Sequence, residues 1–292
     1  MKSPPFEYAR AASIEEACEL LWQHGDAGKL LAGGQSLVPM MAFRLLRPGW
    51  LIDIHEISSL QSIAMEEEVV RMGACARQCV IQRDDALAAR VPLLRQALAH
   101  VGHIQTRNRG TAGGSLAHAD PSAELPLVAQ TLEARLVLRT RSGTRTVPAA
   151  SFFAGPMTTS LLPDECLTEI QGPVWTDKRT GSAFTEISRR HGDFAIVAAA
   201  AQIAVDDAGR CTRAAFGIGG ASPVPAAFPA LAQRLVGNTP DKAMLRDVAQ
   251  DAAATLEPEA DIHASAAYRS HLAGVLAERV LKSAYDTARS AP

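Results

Sequence analysis

Two glycine pairs lie in closely similar settings, Leu31-Ala32-Gly33-Gly34-Gln35-Ser36-Leu37 and Arg109-Gly110-Thr111-Ala112-Gly113-Gly114-Ser115. Residues without a Cβ let a backbone turn sharply and bring its N–H groups close to an anion, and flanking amide and hydroxyl side chains add donors. A single Gly-Gly in a sharp turn is structural more often than ligand-binding. Two such segments, each following apolar residues and each flanked by Ser or Thr, point to a ligand with two phosphates lying between two units. Neither is followed by Gly-Lys-Ser/Thr, and neither is Gly-x-Gly-x-x-Gly opening a helix, so nucleotide hydrolysis and an ordinary dinucleotide-binding fold are not supported.

The pattern around the pairs predicts the units. Ser13-x-x-Glu16 is a capping box, with Glu16 reaching back, and it opens a helix that buries Ile14, Ala17, Cys18 and Leu21. Lys29-Leu30-Leu31 and Leu51-Ile52-Asp53-Ile54 are short strands, which makes the first unit a small α/β arrangement. A second unit begins near Glu66 with the strand Val69–Met72, a helix from Val91 to His100, a long turn-rich segment through Pro126 and the strand Leu136–Leu138. Turn formers cluster at Pro173-Lys178-Gly181, and beyond them 183–188, 196–205 and 214–218 are successive strands of an antiparallel sheet. The tail is helical, with Leu245, Val248, Ala249 and Ala252 on one face and Leu272, Val275 and Leu276 on another. The expected units are 1–60, 61–177 and 178–292, an α+β chain of two α/β subdomains and a C-terminal domain with a small antiparallel sheet and helices.

Composition excludes partners. With 29 Lys+Arg against 31 Asp+Glu, the net charge of -2 gives no field for nucleic acid or a membrane surface, and 5% aromatics give no stacking platform. No apolar stretch is long enough for a membrane span and no export signal opens the chain, so a cytoplasmic protein is expected. The five cysteines, Cys18, Cys75, Cys79, Cys166 and Cys211, include no Cys-x-x-Cys and cannot hold an iron–sulfur cluster, which needs about four thiolates in tight spacing.

Three ordered motifs carry a resemblance. Ala32-Gly33-Gly34-Gln35-Ser36, then Gln105 through Thr111-Ala112-Gly113-Gly114-Ser115 to Asp120-Pro121, then Arg189-Arg190-His191-Gly192-Asp193-Phe194-Ala195 resemble the FAD-binding (medium) subunit of molybdenum hydroxylases, enzymes of the xanthine dehydrogenase and carbon monoxide dehydrogenase type. The similarity runs from Phe6 through Gly217-Ile218-Gly219-Gly220 to the tail. It implies a vanillyl-alcohol-oxidase-like (PCMH-type) flavin fold in which the first two units clasp FAD and the third covers it. It also implies that Ala32, Gly33, Gly34, Gln35, Ser36 and Leu37, with Thr111, Ala112, Gly113, Gly114 and Ser115, contact FAD phosphates and nearby sugar. Glu124 falls where many relatives carry an Asp that bonds a sugar or ribityl hydroxyl, and Leu167, with Leu161 and Leu162, supplies apolar wall near the ring. Glu186 departs from the pattern, since several relatives have Lys there, and an acidic side chain does not stabilise an anionic reduced flavin.

The implied role is electron transfer in a heteromeric molybdenum-containing hydroxylase. A small subunit with two-iron iron–sulfur clusters and a large molybdopterin subunit are the expected partners, in a dimer of three-subunit units. No side chain here is expected to act as nucleophile or general base. The alternatives are a free-standing flavin oxidase or dehydrogenase, and a non-catalytic binding or assembly module with vestigial glycine loops. Other candidates are weaker. His100, His103 and His118-x-Asp120 lack a metal-site context, His191-Gly192-Asp193 is a turn before it is an acid/base pair, and Ser36 has no nucleophile elbow. Arg107, Arg109, Arg139, Arg141 and Arg145 are solvated or phosphate-facing.

Overall fold

The computed structural model describes residues 2–291; Met1 and Pro292, the outer ends of the first and third expected units, lie outside the described residues. Glu7–Arg10 (β1) precedes the first helix, Ile14–His24 (α1). Ser13 caps α1 by accepting from the Glu16 amide at 3.1 Å. Glu16 reaches back past the cap, its carboxylate accepting from Ala12 at 2.7 Å. Gly28–Leu31 (β2), Leu37–Ala42 (α2), Trp50–Asp53 (β3) and Ser58–Gln61 (α3) follow. β3 lies between β1 and β2 and pairs in parallel with both. The sequence did not show β1: its residues are exposed or half-exposed without apolar alternation, so pairing with β3 is what orders it.

The second unit starts with Ile63–Met65 (β4) and Val69–Gly73 (β5). Helices Gln78–Arg83 (α4), Asp85–Arg90 (α5), Pro92–Leu98 (α6), Ile104–Arg109 (α7), Ala112–His118 (α8) and Glu124–Thr131 (α9) come next. Arg135–Arg139 (β6), Thr144–Pro148 (β7), Ala149–Phe152 (α10), Phe153–Gly155 (β8), Thr158–Thr159 (β9) and Cys166–Pro173 (β10) complete it. Its main sheet runs β4-β5-β10-β6-β7, and every pairing in it is antiparallel. Leu93, Leu94, Leu98, Leu116 and Leu127 from the helices pack against Val70, Leu136, Leu138 and Ile170 of the strands. The segment expected to be rich in turns is instead three helices, α7 to α9. All eight residues of α9 are buried, so no polar face exists and no amphipathic period marks it in the sequence.

The third unit is an antiparallel sheet of Thr180–Ser188 (β11), Ala195–Val205 (β12), Cys211–Gly219 (β13) and Ala226–Ala227 (β14). Pro229–Gln233 (α11), Lys242–Ala254 (α12) and Ala266–Ser290 (α13) follow. All eleven residues of β12 are buried. Ala198 and Ala200 on one face join the core of the second unit, while Ala199, Ala201 and Ile203 on the other pack with Leu245, Leu276 and Leu281 of α12 and α13. Alanine is a poor strand former; here its small size lets layers close in from both sides. Among the described residues no helix is long and apolar enough to cross a membrane.

α13 crosses the sheet at Gly181, where a Cβ would run into the Ala284 carbonyl and the Ala288 amide and lie 2.9 Å from the Thr287 Cβ. Gly181→Ala is therefore expected to lower stability by about 1–3 kcal/mol through overpacking against helix backbone, read as a lower midpoint of urea unfolding. An unchanged midpoint would show that α13 shifts without cost.

Candidate flavin site

Strand β2 ends at Leu31, whose carbonyl accepts from Ile54 at 3.0 Å, and the chain leaves the sheet through the first glycine pair. Gly34 has φ 72°, a left-handed value that glycine adopts without strain, and its carbonyl accepts from Val38 at 3.1 Å to start α2. Among the described residues, the amides of Gly33, Gly34, Gln35, Ser36 and Leu37 have no acceptor within the chain, while the Gln35 side-chain amide donates to the Gly33 carbonyl at 3.2 Å. Successive free amides at a turn form a concavity that suits an anion.

The second pair is built differently. It is not a loop but the first turn of α8, with Thr111 as the cap, its hydroxyl accepting from Gly114 at 3.1 Å. The amides of Ala112, Gly113 and Ser115 donate to the carbonyls of Ala76 at 3.0 Å, Ala74 at 2.9 Å and Thr111 at 3.2 Å. This row is satisfied inside the protein, which leaves the hydroxyl protons of Thr111 and Ser115 as the donors this segment offers.

The two segments meet. A Cβ on Gly33 would run into the Arg109 carbonyl and lie 2.9 Å from the Gly110 Cα, and one on Gly114 would be 3.9 Å from the Ala32 Cβ. Gly113 is pressed against the second unit's own strand end, since a Cβ there would lie 2.5 Å from the Ala74 Cβ and 2.7 Å from its Cα. The requirement for glycine at Gly33 and Gly113 is thus chain against chain, and the free amides lie in the half-exposed stretch that follows Gly33. Gly110, which the sequence reading did not single out, completes the contact; a Cβ there would be 2.6 Å from the Gln78 Oε1, a buried atom with no hydrogen-bond partner.

Glu124 opens α9 and is only 4% exposed. Burial, with the nearby charges of Glu186 and Asp120, pushes its carboxyl up to about 8, against a smaller opposing pull from its own backbone amide and from Arg107. Leu167 lies on β10 opposite Leu138, in the core of the second unit. Leu161 packs against that core, while Leu162 is exposed. Glu186, on β11, has a 4% exposed side chain 3.5 Å from the Nδ1 of His100.

The other candidates resolve into structure. Arg107 donates to the Gln82 Oε1 at 2.9 Å and to the carbonyls of Val101 and Gly102 at 2.7 and 3.1 Å. Arg139 pairs with Glu15 at 2.7 Å, and Arg145 with Glu165 through two donors at 2.5 and 2.7 Å. Gly192, φ 88°, turns the chain beside His103, and the Asp193 amide donates to the Arg190 carbonyl at 3.0 Å. Cys18, Cys75, Cys166 and Cys211 are buried free thiols, and burial pushes Cys75 up to about 12. Among the described residues no group of three or more His, Cys, Asp and Glu is placed to hold a metal ion. One polar cluster escaped the sequence: Asp53, at the carboxyl end of β3, accepts from the Tyr8 hydroxyl at 2.7 Å and lies 2.6 Å from the His55 Nδ1. Nothing in the sequence brings Tyr8 to Asp53 before β1 and β3 are paired.

Residues 4–175 match the FAD binding domain in molybdopterin dehydrogenase, and residues 182–284 the CO dehydrogenase flavoprotein C-terminal domain. The chain is 37% identical to the 6-hydroxypseudooxynicotine dehydrogenase complex subunit alpha of Paenarthrobacter nicotinovorans, covering 99% of this chain and 97% of that protein. It superposes on a chain of carbon monoxide dehydrogenase from Hydrogenophaga pseudoflava with a TM-score of 0.95 and 35% identity, covering 98% of this chain and 99% of the other. Quinoline 2-oxidoreductase from Pseudomonas putida 86 gives 0.93 and 36%, covering 99% and 100%. The fold is therefore that of a two-part flavoprotein, an FAD-binding half followed by a C-terminal domain on an antiparallel sheet. The chain belongs to the FAD-binding, medium-subunit family of the molybdenum hydroxylases. Its role is that of an FAD-carrying electron-transfer subunit of an oxidoreductase.

The two glycine pairs predict different failures. Gly113→Val, which forces a branched side chain into the Ala74 backbone, is expected to lower the melting temperature of the flavin-free protein as well as its flavin content. Gly34→Val strains a left-handed residue at a cost of about 1–3 kcal/mol, and is expected to lose most FAD while the chain stays folded by circular dichroism. Flavin content equal to wild type in both variants would remove these segments from the site.

Proposed function

We propose that FAD lies along the seam between the first two units, with its pyrophosphate on the amides of Gly33 to Leu37. Ala32 and Gly114 flank it, Thr111 and Ser115 donate hydroxyls, and Ala112 and Gly113 set the position of that turn. The single observation that carries this reading is the run of five unpaired amides beside those hydroxyls, where the backbones of two units touch. Glu124 is assigned to a sugar or ribityl hydroxyl, its raised proton affinity making it a donor as well as an acceptor. Leu167 is assigned to the apolar wall, and units 1–60 and 61–177 to the clasp that 178–292 covers.

The bound flavin supplies the ability to take electrons one at a time and release two. The chain's own residues bind, orient and shield: amides hold the anion, the second unit fixes the cradle, and the third unit closes over it. No side chain here acts as nucleophile. We infer that electrons arrive from a small subunit with two-iron iron–sulfur clusters and leave to an external acceptor, while a large molybdopterin subunit oxidises the substrate. The similar proteins are named for chemically unlike substrates, which supports a substrate site outside this chain. A dimer of heterotrimers in the cytoplasm is the assembly proposed, and the subunit naming of the relatives counts against a free-standing oxidase or a non-catalytic module.

Purified from its native complex, this chain is expected to carry FAD in about equimolar amount, with a yellow absorbance that bleaches on reduction. A colourless chain that takes up no FAD on reconstitution would overturn the reading.

A further inference from the structure

The second unit brings to the seam a cation that neither glycine segment contains. Beyond β5 the chain from Ala74 to Gln78 runs antiparallel to the stretch from Gly110 to Gly113. The Gly113 amide donates to the Ala74 carbonyl at 2.9 Å, Ala112 to Ala76 at 3.0 Å, and Gln78 to Gly110 at 3.0 Å. Arg77 and Thr111 are bridged between the last two of these bonds. Residues paired in this way, opposite each other with the bonds on either side, turn their side chains to the same side and bring them closer than a bonded pair does. Arg77 therefore stands beside Thr111, one of the two hydroxyls assigned to the phosphates.

A second contact fixes where its guanidinium goes. The Arg77 Nη1 donates to the Arg109 carbonyl oxygen, the same oxygen that a Cβ on Gly33 would run into. One atom of the second unit thus holds Arg77 and backs Gly33, the first of the five free amides. Among the described residues no carboxylate pairs with this cation. Arg71, Arg95, Arg139 and Arg145 each have an acidic partner, and Arg107 is engaged by Gln82 and two carbonyls. Asp53, whose charge reaches Cys75 as that of Arg77 does, has its oxygens taken by Tyr8 and His55. Arg77 is half-buried, and a guanidinium has five N–H donors, so donors remain after the bond to Arg109.

We propose that Arg77 is the charged contact of the FAD pyrophosphate, its guanidinium donating to a phosphate oxygen beside the Thr111 hydroxyl. The inference rests on the flavin reading above and adds to it a residue outside both glycine segments. Amides are neutral dipoles, whereas a diphosphate is an anion. An arginine supplies the missing charge through forked, charge-assisted donors. The Arg109 carbonyl holds the long side chain in place before the ligand arrives, so less rotamer freedom is lost on binding. An ion pair at a seam open to water is screened by salt, which gives FAD affinity a dependence on ionic strength that amides alone would not.

The test is the dissociation constant of FAD from the full flavin-free chain, titrated at several salt concentrations. Wild type is expected to bind more weakly as salt rises. Arg77→Met is expected to bind about 10- to 100-fold more weakly at low salt, the worth of one hydrogen bond to a charged group, and to respond little to added salt. Arg77→Lys keeps the charge without the fork and is expected to fall between them while retaining the salt response. A role confined to holding the Arg109 carbonyl would lower the melting temperature of flavin-free Arg77→Met and weaken FAD by the same factor at every salt concentration; that pattern overturns the proposal. So does an FAD affinity of wild type that ignores salt, a result that needs no variant to fold. Wild-type binding and salt response in Arg77→Met, with FAD lost from Gly34→Val, overturns the assignment of Arg77 alone. Wild-type binding in both variants, or no uptake of FAD by wild type, overturns the flavin reading at this seam together with it.

Discussion

Everything at the site depends on two backbones being allowed to touch. Gly33 rests against the Arg109 carbonyl and the Gly110 Cα, where a Cβ would push the first unit away from the second, and Gly113 rests against Ala74 within the second unit. The first unit needs that contact. Its core of Ala17, Cys18, Leu21, Ile52, Ile54, Ile57 and Leu60 is completed by Cys75 and Cys166 of the second unit, and so few residues bury too little apolar area to stand alone. Close packing therefore does two things at once, stabilising a small parallel sheet and holding five free amides at a fixed place.

The second and third units are joined by a similar economy. β12 is buried on both faces, one face closing the core of the second unit and the other that of α12 and α13. A sheet shared by two cores gives the C-terminal domain a fixed position over the FAD-binding half. Two acidic side chains, Glu124 and Glu186, are buried at this junction, and burial raises the proton affinity of Glu124.

Much of this was legible in the residues. The capping of α1, strands β2, β3, β5 and β6, and the three long strands of the third unit follow from alternation, caps and turn formers, because those signals are local. What was missed is what tertiary contact creates. β1 has no apolar pattern and exists because β3 pairs with it. α8 hides in a stretch of small residues, and α9 is enclosed on every side. The second glycine pair has the letters of an anion loop, yet its amides are consumed by Ala74, Ala76 and Thr111, which no spacing rule reveals.

By itself the sequence determined the chemistry on offer: two glycine segments with hydroxyl and amide neighbours, cysteines too scattered for a cluster, and a net charge of -2 that names no polyanionic partner. Three ordered motifs then fixed the family. Only the tertiary structure decided which amides are free, that Gly33 and Gly110 are in contact, and that Glu186 is buried beside His100. The reason is physical: a residue type sets what a group can donate, accept or ionise, but its hydrogen-bond partners and its exposure to water belong to neighbours distant in the chain.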